Sequence, residues 1–461
     1  MTYDQAVRYL LTLGRELASP QQARAAKFDL ENMRVMAREL GNPERAFASV
    51  HIAGTNGKGS TAAMLASILR AAGIRAGLYT SPHLLRINER ISVDGADISD
   101  ADFAEVFERV QTVIEKLLAS GALAAHPTFF ECVTTMAFEF FARRKVGLAV
   151  IEVGLGGRLD STNVIVPEVA VITQIDFDHE NFLGHSIEEI AAEKAGIIKP
   201  GAWVVSAAGN EAAQEVIRRR AAEQKARLVE VDEAYRVSGL RAEDGRYQFV
   251  AAAGAPGPGS ASEIEVRLPL PGRFQVRNAL TAIAAARLLA ERGFPVSDTA
   301  IADGLATVHW PGRIERLQNG PAVYLDGTHN PAGARELVAF WNEHFPGRRI
   351  HLVYGAMRDK AVDEVAGQLF PRAATVILTQ SQQPRALSAE ALAGMTRHLA
   401  PWVEVIIEPG AALEHAIERA EPDDVVFATG SLYLVGDLRR YWDRRPAKIA
   451  PGGAVRQVRP K

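Results

Sequence analysis

The glycine-rich stretch from Gly54 to Ser60, Gly-Thr-Asn-Gly-Lys-Gly-Ser, constrains the fold of this chain more than any other feature. It follows a short apolar run ending at Ala53 and opens a segment, 61–72, with apolar residues at helical spacing. That order predicts a strand, a loop and a helix. Glycines let successive N–H groups turn inward, and the helix N-terminus adds roughly half a positive charge. The stretch therefore predicts a polyphosphate-binding loop, with Lys58 on the outer phosphates and Ser60 on a magnesium ion.

The spacing of this loop departs from the common nucleotide-binding motif. That motif places its hydroxyl directly after the lysine and its first glycine five residues before the second. Here Gly54 is only three residues before Gly57, and Gly59 separates Lys58 from Ser60. A glycine-rich turn without a ligand is the alternative. Because strand, loop, lysine and hydroxyl all follow in order, phosphate binding is the favoured interpretation.

Alternating strands and helices around the loop predict an α/β fold. The apolar runs Ile74 to Tyr79, Val146 to Val153 and Val169 to Thr173 are typical of strands, and helical segments lie between them. This alternation predicts a parallel sheet with helices on both faces, whose ligands gather at the carboxyl ends of the strands. Functional residues are therefore expected directly after strands.

Two further regions follow this unit. Short alternating runs between Val229 and Leu270 predict a small antiparallel sheet, and the Ala/Gly/Pro/Ser-rich stretch from Ala251 to Ser262 within it predicts a flexible loop. The strand–helix alternation restarts near Arg316 and predicts a second α/β unit. The predicted divisions are a domain of residues 1–312, a domain of residues 313–443 and a disordered basic tail of residues 444–461.

Composition excludes several classes of protein. The net charge of −3 over 461 residues provides no global basic field for nucleic acid. No apolar run approaches the ~18 residues of a membrane span, and the N-terminal residues lack the pattern of a signal peptide. The single cysteine, Cys132, excludes an internal disulfide. These features predict a cytoplasmic protein that binds small molecules, without a nucleic-acid or membrane partner.

Three polar residues at predicted strand ends are candidates for a metal site. Ser81 follows the strand after the loop helix, Glu152 lies within an apolar strand, and His179 follows the next strand. Burial of Glu152 is costly unless a metal or a cation pairs with it. Each residue has a structural alternative, as a turn serine, a partner of Arg158 or a loop histidine. Because the three follow successive strands of one sheet, a shared magnesium site is favoured.

The remaining candidates are less specific. Lys194 lies in a helix that starts with a capping box at Ser186, and its periodicity predicts a solvent-exposed lysine. The glycines of the second glycine-rich loop, Gly154 to Asp160, would allow its backbone to approach a ligand closely. They are equally typical of a tight turn without a ligand. Asp326 follows a strand in the second unit, and neither it nor His329 has an evident structural reason. The adjacent Asn330-Pro331 pair predicts the cap and first residue of a helix.

Ten motifs occur in one order along the chain: His51–Ser60, Thr80–Leu84 with Asn88–Arg90, Thr128–Glu131, Glu152–Asp160, Asp178–His179, Glu193–Ile197, Arg277–Ala279, Pro311–Arg313, Asp326–Pro331 and Thr429–Tyr433. Together they resemble the folylpolyglutamate synthases and dihydrofolate synthases of the Mur ligase superfamily over nearly the whole chain. The unusual spacing of the phosphate loop is that of this superfamily.

The resemblance implies an α/β fold with an N-terminal P-loop-containing, parallel-sheet ATPase domain, a small antiparallel subsheet and a C-terminal Rossmann-like glutamate ligase domain. The implied catalytic residues are Lys58, Lys194 and His329. The residues implied to bind ATP are Thr55, Asn56, Gly57, Lys58, Gly59, Ser60, Asn278, Arg313 and Asp326. Magnesium, at two sites, would be held by Ser60, Ser81, Glu152, His179 and a carbamylated Lys194, and a monovalent cation is left open as a further cofactor. The residues implied to line the pterin or folate site are Thr128, Phe129, Phe130, Leu159, Asp160 and Ser161.

The implied activity is ATP-dependent addition of L-glutamate to dihydropteroate, to the glutamate tail of reduced folates, or to both. It proceeds through an acyl phosphate, releases ADP and phosphate, and needs only a monomer. One alternative is a Mur-type muropeptide ligase, which would carry an additional N-terminal domain, whereas about fifty residues precede the loop here. The other is a nucleotide-binding module without ligase activity, which leaves Glu152, His179, Lys194 and Asp326 without a role. The sequence does not decide between the two acceptors.

Overall fold

The chain folds into two α/β lobes, each built around its own sheet. The computed structural model describes residues 1–13, 30–243, 245–254 and 263–445. The predicted disordered tail lies outside these ranges from residue 446 onward, but its first residue, Arg444, is the last residue of a helix, so the prediction is wrong there. Residues 255–262 of the predicted flexible loop also lie outside these ranges. Within the described ranges, no helix combines the length and apolar character needed to cross a bilayer.

An eight-stranded sheet forms the centre of the first lobe. Its strands are β1 (Ala48–Ala53), β2 (Ala76–Tyr79), β3 (Ile91–Val93), β4 (Ala96–Asp97), β5 (Leu148–Glu152), β6 (Val169–Ile172), β7 (Trp203–Ser206) and β8 (Arg227–Glu230). They lie in the order β4-β3-β2-β5-β1-β6-β7-β8. Pairing is parallel from β2 to β8, while β3 and β4 add an antiparallel edge. The central strands β1, β5 and β6 are buried and mostly apolar because helices cover both faces.

The helices of the first lobe pack on the two faces of this sheet. They are α1 (Tyr3–Thr12), α2 (Glu31–Glu39), α3 (Lys58–Ala71), α4 (Asp100–Ala119), α5 (Phe129–Arg143), α6 (Glu180–Leu183), α7 (Ile187–Ala195), α8 (Glu211–Glu223), α9 (Val231–Ala234), α10 (Phe274–Glu291) and α11 (Asp298–Ala306). Helices α3, α10 and α11 contribute to one core, and α4 and α5 contribute to a second core across the sheet. The predicted parallel sheet with helices on both faces is confirmed.

The predicted antiparallel sheet is also present, with different bounds. It consists of β9 (Tyr235–Glu243), β10 (Arg246–Ala253) and β11 (Ile264–Leu268), in the order β11-β10-β9. The prediction of a loop from Ala251 onward is wrong for Ala251 to Ala253, which pair with β9. Alanine has a low strand propensity, but pairing with a neighbouring strand overrides it here. Val229, where the region was predicted to begin, belongs instead to β8.

The second lobe contains a six-stranded sheet. Its strands are β12 (Glu315–Asn319), β13 (Ala322–Leu325), β14 (Ile350–Tyr354), β15 (Thr375–Leu378), β16 (Val403–Val405) and β17 (Val425–Thr429), in the order β12-β13-β17-β14-β15-β16. Only β12 is antiparallel to its neighbour in this sheet. The helices are α12 (Pro331–His344), α13 (Val362–Leu369), α14 (Ala389–Thr396), α15 (Pro409–Arg419) and α16 (Leu432–Arg444). The second predicted α/β unit is therefore confirmed.

Candidate active site between the lobes

A cleft of about 240 Å³ lies between the lobes, at the ends of strands from both sheets. Its walls include every residue that the sequence assigned to ATP, to magnesium or to catalysis: Thr55, Asn56, Gly57, Lys58, Gly59, Ser60, Ser81, Glu152, His179, Lys194, Asn278, Arg313, Asp326 and His329. The residues assigned to the folate site do not line this cleft. The structure thus brings together, from two lobes, residues that are up to about 270 positions apart in the chain.

The predicted phosphate loop connects β1 to α3. Gly57 takes a left-handed conformation, with φ of +87°, and a Cβ there would overlap the Asn278 side chain. Only glycine suits that position. The N–H groups of Thr55 and Asn56 donate to the carbonyl of Gln174, at 2.7 and 3.4 Å. The N–H groups of the first turn of α3 make no hydrogen bond within the helix, so this turn is the part of the loop suited to an anion.

Two lysines bind the carbonyl oxygens of this loop. Lys58 Nζ donates to the carbonyls of Gly54 and Thr55, at 3.0 and 3.1 Å, and Lys194 Nζ donates to that of Gly54, at 2.8 Å. Burial lowers the pKa of Lys58, and the carboxylate of Glu152 opposes that shift. Burial, reinforced by the charge of Lys58, lowers the pKa of Lys194 to about 7. Both amines are therefore held beside the loop in an environment that disfavours their charge.

Lys194 is not the solvent-exposed lysine that periodicity predicts, because its side chain is only 3% exposed. It lies four residues after Ile190 and three after Ala191, both buried, so all three share the buried face of α7. The predicted capping box at Ser186 is present. The position of Lys194 relative to its apolar neighbours was the sequence signal that could have identified it.

Glu152 is a buried carboxylate that faces the cleft. Its Oε2 accepts a hydrogen bond from the N–H of Ser81 at 3.1 Å. Burial raises its pKa, while the charge of Lys58 and the Ser81 hydrogen bond lower it. Arg158, the alternative partner, instead forms an ion pair with Glu193 at 2.8 Å. Glu152 and Ser81 are therefore neighbours at the site where the sequence predicted a shared ligand.

His179 lies in a cluster of charged groups that spans both lobes. Lys360 Nζ donates to Asp178 Oδ1 at 2.7 Å and to His179 Nε2 at 3.1 Å. Because an ammonium group only donates, Nε2 accepts and the imidazole is neutral. Burial and the charge of Lys360 lower the pKa of His179 to about 4. Burial alone would raise the pKa of Asp178, but the hydrogen bond from His329 and the charge of Lys360 hold it well below its usual range.

Lys360 has no role predicted from the sequence, and Asp178 enters only as part of the Asp178–His179 motif. Lys360 follows β14, so the rule that functional residues follow strands applies to it as well. Its partners lie in the other lobe, and no local pattern predicts that pairing.

The predicted helix cap at Asn330 is present and also joins the lobes. Its Oδ1 accepts from the N–H of Gly333 at 2.8 Å, and Pro331 is the first residue of α12. Its Nδ2 donates to Asn56 Oδ1 at 2.9 Å and to Asp178 Oδ2 at 3.2 Å. One amide side chain thus connects the phosphate loop, the Asp178 loop and the N-terminus of α12.

Asp326 and His329 occupy the second-lobe wall. The carboxylate of Asp326 accepts from the N–H groups of Ile314 and Thr328, at 3.0 and 2.9 Å. His329 Nδ1 donates to the carbonyl of Gly327 at 2.8 Å, and its Nε2 lies 3.5 Å from Asp178 Oδ2. Asp326 therefore orders the segment that places His329 in the cleft.

The second glycine-rich loop is fastened by Asp160. This carboxylate accepts from the N–H groups of Gly154 and Leu155, at 3.0 and 2.9 Å, and from the N–H and Oγ1 of Thr162, at 3.0 and 2.5 Å. Burial raises the pKa of Asp160, and these hydrogen bonds lower it. The ring of Phe130 lies against Gly154, which does line the cleft. The predicted folate stretches thus adjoin the cleft through this loop.

Two family models match the chain. The Mur ligase middle domain matches residues 52–286, and the Mur ligase glutamate ligase domain matches residues 312–432. The chain is 36% identical over 414 residues to the dihydrofolate synthase/folylpolyglutamate synthase of Bacillus subtilis, which covers 89% of this chain and 94% of that protein.

Solved structures agree with this relationship. The folylpolyglutamate synthase of Mycobacterium tuberculosis, complexed with ADP, matches with a TM-score of 0.86 at 32% identity, over 96% of this chain and 99% of that one. The Escherichia coli protein in complex with DHPP and ADP matches with a TM-score of 0.82 at 29% identity, over 95% and 97%. The fold, the cleft and these matches together show that the chain belongs to the folylpolyglutamate synthase/dihydrofolate synthase family of Mur ligases.

Proposed function

We propose that this protein is an ATP-dependent ligase that joins L-glutamate to dihydropteroate, to the glutamate tail of reduced folates, or to both, and releases ADP and phosphate. The carrying observation is the 36% identity to a dihydrofolate synthase/folylpolyglutamate synthase over 94% of that protein's length. The cleft supports it, because both lobes of one chain supply its walls and a monomer therefore suffices. Residues 1–312 and 313–443 are the two functional domains in this proposal.

ATP is proposed to bind with its phosphates on the loop from Thr55 to Ser60. The first-turn N–H groups of α3 and the ammonium of Lys58 are the donors available for phosphate oxygens. On binding ATP, Lys58 would release its hydrogen bonds to the carbonyls of Gly54 and Thr55 and donate to phosphate oxygens instead. The other proposed ATP contacts are Asn278 from the first lobe and Arg313 and Asp326 from the second. Relatives solved with ADP support this proposal.

The donor set fits a hard cation. Within the described ranges, no three His, Cys, Asp or Glu side chains come together closely enough to hold a metal by themselves. The fit rests on Glu152, a buried carboxylate in the cleft wall, because Mg²⁺ beside a nucleotide uses one or two carboxylates and takes its other ligands from phosphates and water. We assign Glu152, Ser81, Ser60 and His179 to magnesium, and a carbamylated Lys194 to a second ion. His179 would first have to lose its hydrogen bond from Lys360.

The proposed reaction has two steps. A carboxylate oxygen of the acceptor attacks the γ-phosphorus of ATP, the bond to the bridging oxygen of ADP breaks, and an acyl phosphate forms. The α-amine of glutamate then attacks the acyl carbon, the carbon–oxygen bond to phosphate breaks, and phosphate leaves. Bound magnesium would neutralise charge on the transferred phosphoryl group.

The residues of the chain supply positioning and charge for these steps. Lys58 stabilises the negative charge that develops on the phosphoryl oxygens. His329, on the second-lobe wall, would first have to release the Nε2 proton that it donates to Asp178, and could then accept the proton that the amine loses. The proposed acceptor site comprises Thr128, Phe129, Phe130, Leu159, Asp160 and Ser161. The carboxylate of Asp160 already accepts four hydrogen bonds from the chain itself. Asp160 would therefore shape the acceptor site by holding the Gly154–Asp160 loop in place, and not by binding the acceptor directly.

The test is a phosphate-release assay combined with mass analysis of products. Purified protein would receive ATP, magnesium and L-glutamate with dihydropteroate, tetrahydrofolate or a nucleotide-linked muropeptide, each in a separate reaction. We expect phosphate release that requires both glutamate and an acceptor, and a product heavier by one glutamyl residue. Phosphate release independent of glutamate would instead indicate a nucleotide-hydrolysing module, and ligation only to a muropeptide would indicate a Mur-type enzyme.

A further inference from the structure

The three-stranded sheet contacts the second lobe at a point away from the cleft. Tyr247 in β10 is only 1% exposed, and its hydroxyl lies 3.1 Å from His344 Nε2 and 3.4 Å from Glu343 Oε2. The rings of Tyr247 and His344 meet edge to face, with centroids 6.2 Å apart. Arg273, which precedes α10 in the first lobe, pairs with Glu343 at 3.2 Å. The sheet is therefore joined to the end of α12 by directed polar contacts.

Apolar contacts extend this junction. A Cβ added at Gly245, directly before β10, would lie 3.6 Å from the Phe340 ring, so this part of the backbone is close to that ring. Phe274, the first residue of α10, packs against the core of the second lobe and also lines the cleft. The junction therefore has an apolar part that holds the lobes together and a polar part that fixes their orientation.

Helix α12 connects this junction to the active site. It contains 14 residues and is therefore about 21 Å long. Its N-cap, Asn330, binds Asn56 and Asp178 at the cleft, while His344 at its other end meets Tyr247. The first lobe thus holds both ends of one second-lobe helix, and a helix of this length moves as a rigid body.

We propose that Tyr247 is a positioning residue for the ligation reaction: through His344 and Glu343 it orients α12, so that His329 and Asn330 face the Gly54–Ser60 loop. This inference rests on the proposed function. None of the described residues of the three-stranded sheet lines the cleft, and this inference gives the sheet a part in assembling the active site from two lobes.

The experiment compares two tyrosine-to-phenylalanine variants of the same sheet. Tyr247→Phe removes only the hydroxyl at the junction. Tyr235→Phe is the control, because Tyr235 is also buried in this sheet and its ring lies against Arg287 of the first lobe. For Tyr247→Phe we expect kcat for glutamate addition to fall about fivefold, with KM for ATP changed less than about twofold. For Tyr235→Phe both constants should stay within about twofold of wild type.

A double-mutant cycle with His344→Ala strengthens the test. If the two residues act together, the double variant should lose no more kcat than the larger single loss. Equal kcat in Tyr247→Phe and Tyr235→Phe, or a lowered Tm in Tyr247→Phe with unchanged kcat, would overturn the proposal and leave Tyr247 a purely structural residue.

An interlobe distance separates this inference from the proposed function. Spin labels on cysteines introduced at the exposed positions Ala222 and Gly394 report on the arrangement of the lobes, and the native Cys132 is buried. Tyr247→Phe should broaden or shift the distance distribution even if the wild-type protein shows no ligase activity. An unchanged distribution contradicts the inference whatever the activity.

Discussion

Two glycine-rich loops follow the adjacent strands β1 and β5, and both line the same cleft, yet their backbones are arranged differently. The Gly54–Ser60 loop opens a 14-residue helix, whose first-turn N–H groups make no bond within the helix. In the Gly154–Asp160 loop, the carboxylate of Asp160 accepts hydrogen bonds from the N–H groups of Gly154 and Leu155. The number of glycines is therefore a poor indicator of an anion site, and the partners of the N–H groups are a better one.

The charges beside the two loops also differ, and they too favour the first loop as the anion site. The ammonium group of Lys58 binds carbonyls of the first loop, whereas the second loop encloses a buried carboxylate, Asp160. A polyphosphate would thus be attracted more strongly by the first loop than by the second. The two loops adjoin the proposed nucleotide and acceptor sites respectively, which matches the charges of ATP and of an uncharged pterin ring.

The largest expected effect comes from removing the basic residue of the first loop. Lys58→Ala should lower kcat for ligation by at least about 10³-fold, because a preorganised charge at the transferred phosphoryl group is lost. Arg158→Ala is the matched control, since Arg158 is the exposed basic residue of the second loop and pairs with Glu193. The kcat of Arg158→Ala should stay within about twofold of wild type. Near-normal turnover in Lys58→Ala would remove the distinction between the loops.

A pair of glycine substitutions tests the backbones of the loops. Gly57→Ala should raise KM for ATP and lower kcat, together by about 10- to 100-fold, because a Cβ overlaps Asn278 and the residue has a φ of +87°. Gly156→Ala, with a φ of +67°, should cost about 1–2 kcal/mol of stability. Its KM for ATP should change little. Steady-state kinetics and urea unfolding of both variants would check this, and equal effects on KM would count against the comparison.

Asp160→Asn tests the fastening of the second loop. An amide NH₂ in place of a carboxylate oxygen faces N–H groups instead of accepting from them, so we expect a loss of about 2–3 kcal/mol of unfolding free energy. The affinity for a nonhydrolysable ATP analogue should remain unchanged. Urea unfolding and analogue titration measure the two quantities. A large loss of analogue affinity with unchanged stability would indicate that Asp160 belongs to the nucleotide site instead.

The last expected effect is on the pH dependence of stability, and it concerns His51, which links the two loops. It lies in β1, and its Nε2 is 2.8 Å from Thr162 Oγ1, which donates to Asp160. Burial, with the charge of Lys199 adding to it, lowers the pKa of His51 to about 3. Its contribution to stability is therefore complete above the ordinary pKa of about 6.5 and is lost as the pH falls from about 6.5 towards about 3, because the unfolded chain binds a proton that the folded chain does not.

This contribution changes by at most about 1.4 kcal/mol per pH unit. Unfolding free energies of wild type and His51→Gln would be measured by urea denaturation between about pH 7 and about pH 4.5. The variant should show the shallower decline, because it lacks this titrating group. Parallel curves would show that His51 titrates alike in the folded and unfolded states.

Much of the fold was predictable because apolar runs record burial. The run Ile350–Tyr354 corresponds to β14 within the second sheet. The expectation that polar residues directly after strands share one site is met by Ser81, Glu152 and His179 in that all three line the cleft, while their role as metal ligands stays a prediction. These predictions rest on local patterns, and burial of consecutive residues leaves a local pattern.

The contacts between the lobes could not be predicted in this way. Pairs such as Lys360 with Asp178 and Asn330 with Asn56 depend on how the two lobes pack against each other. The sequence around one partner does not indicate the other. The exposure of Lys194 was predicted wrongly because a lysine on a buried helix face contradicts the usual preference of its side chain. Ala251 to Ala253 were missed because strand pairing, and not composition, fixes their conformation.

The most direct test of the account follows the oxygen of the acceptor carboxyl group. If the terminal phosphate of ATP activates that carboxyl group, then an acceptor labelled with ¹⁸O in the carboxylate must transfer one labelled oxygen to phosphate when the amide forms. Mass analysis of the phosphate released during glutamate addition should therefore find one ¹⁸O atom per phosphate. Unlabelled phosphate, with the label retained in the folate product or lost to water, would contradict the account.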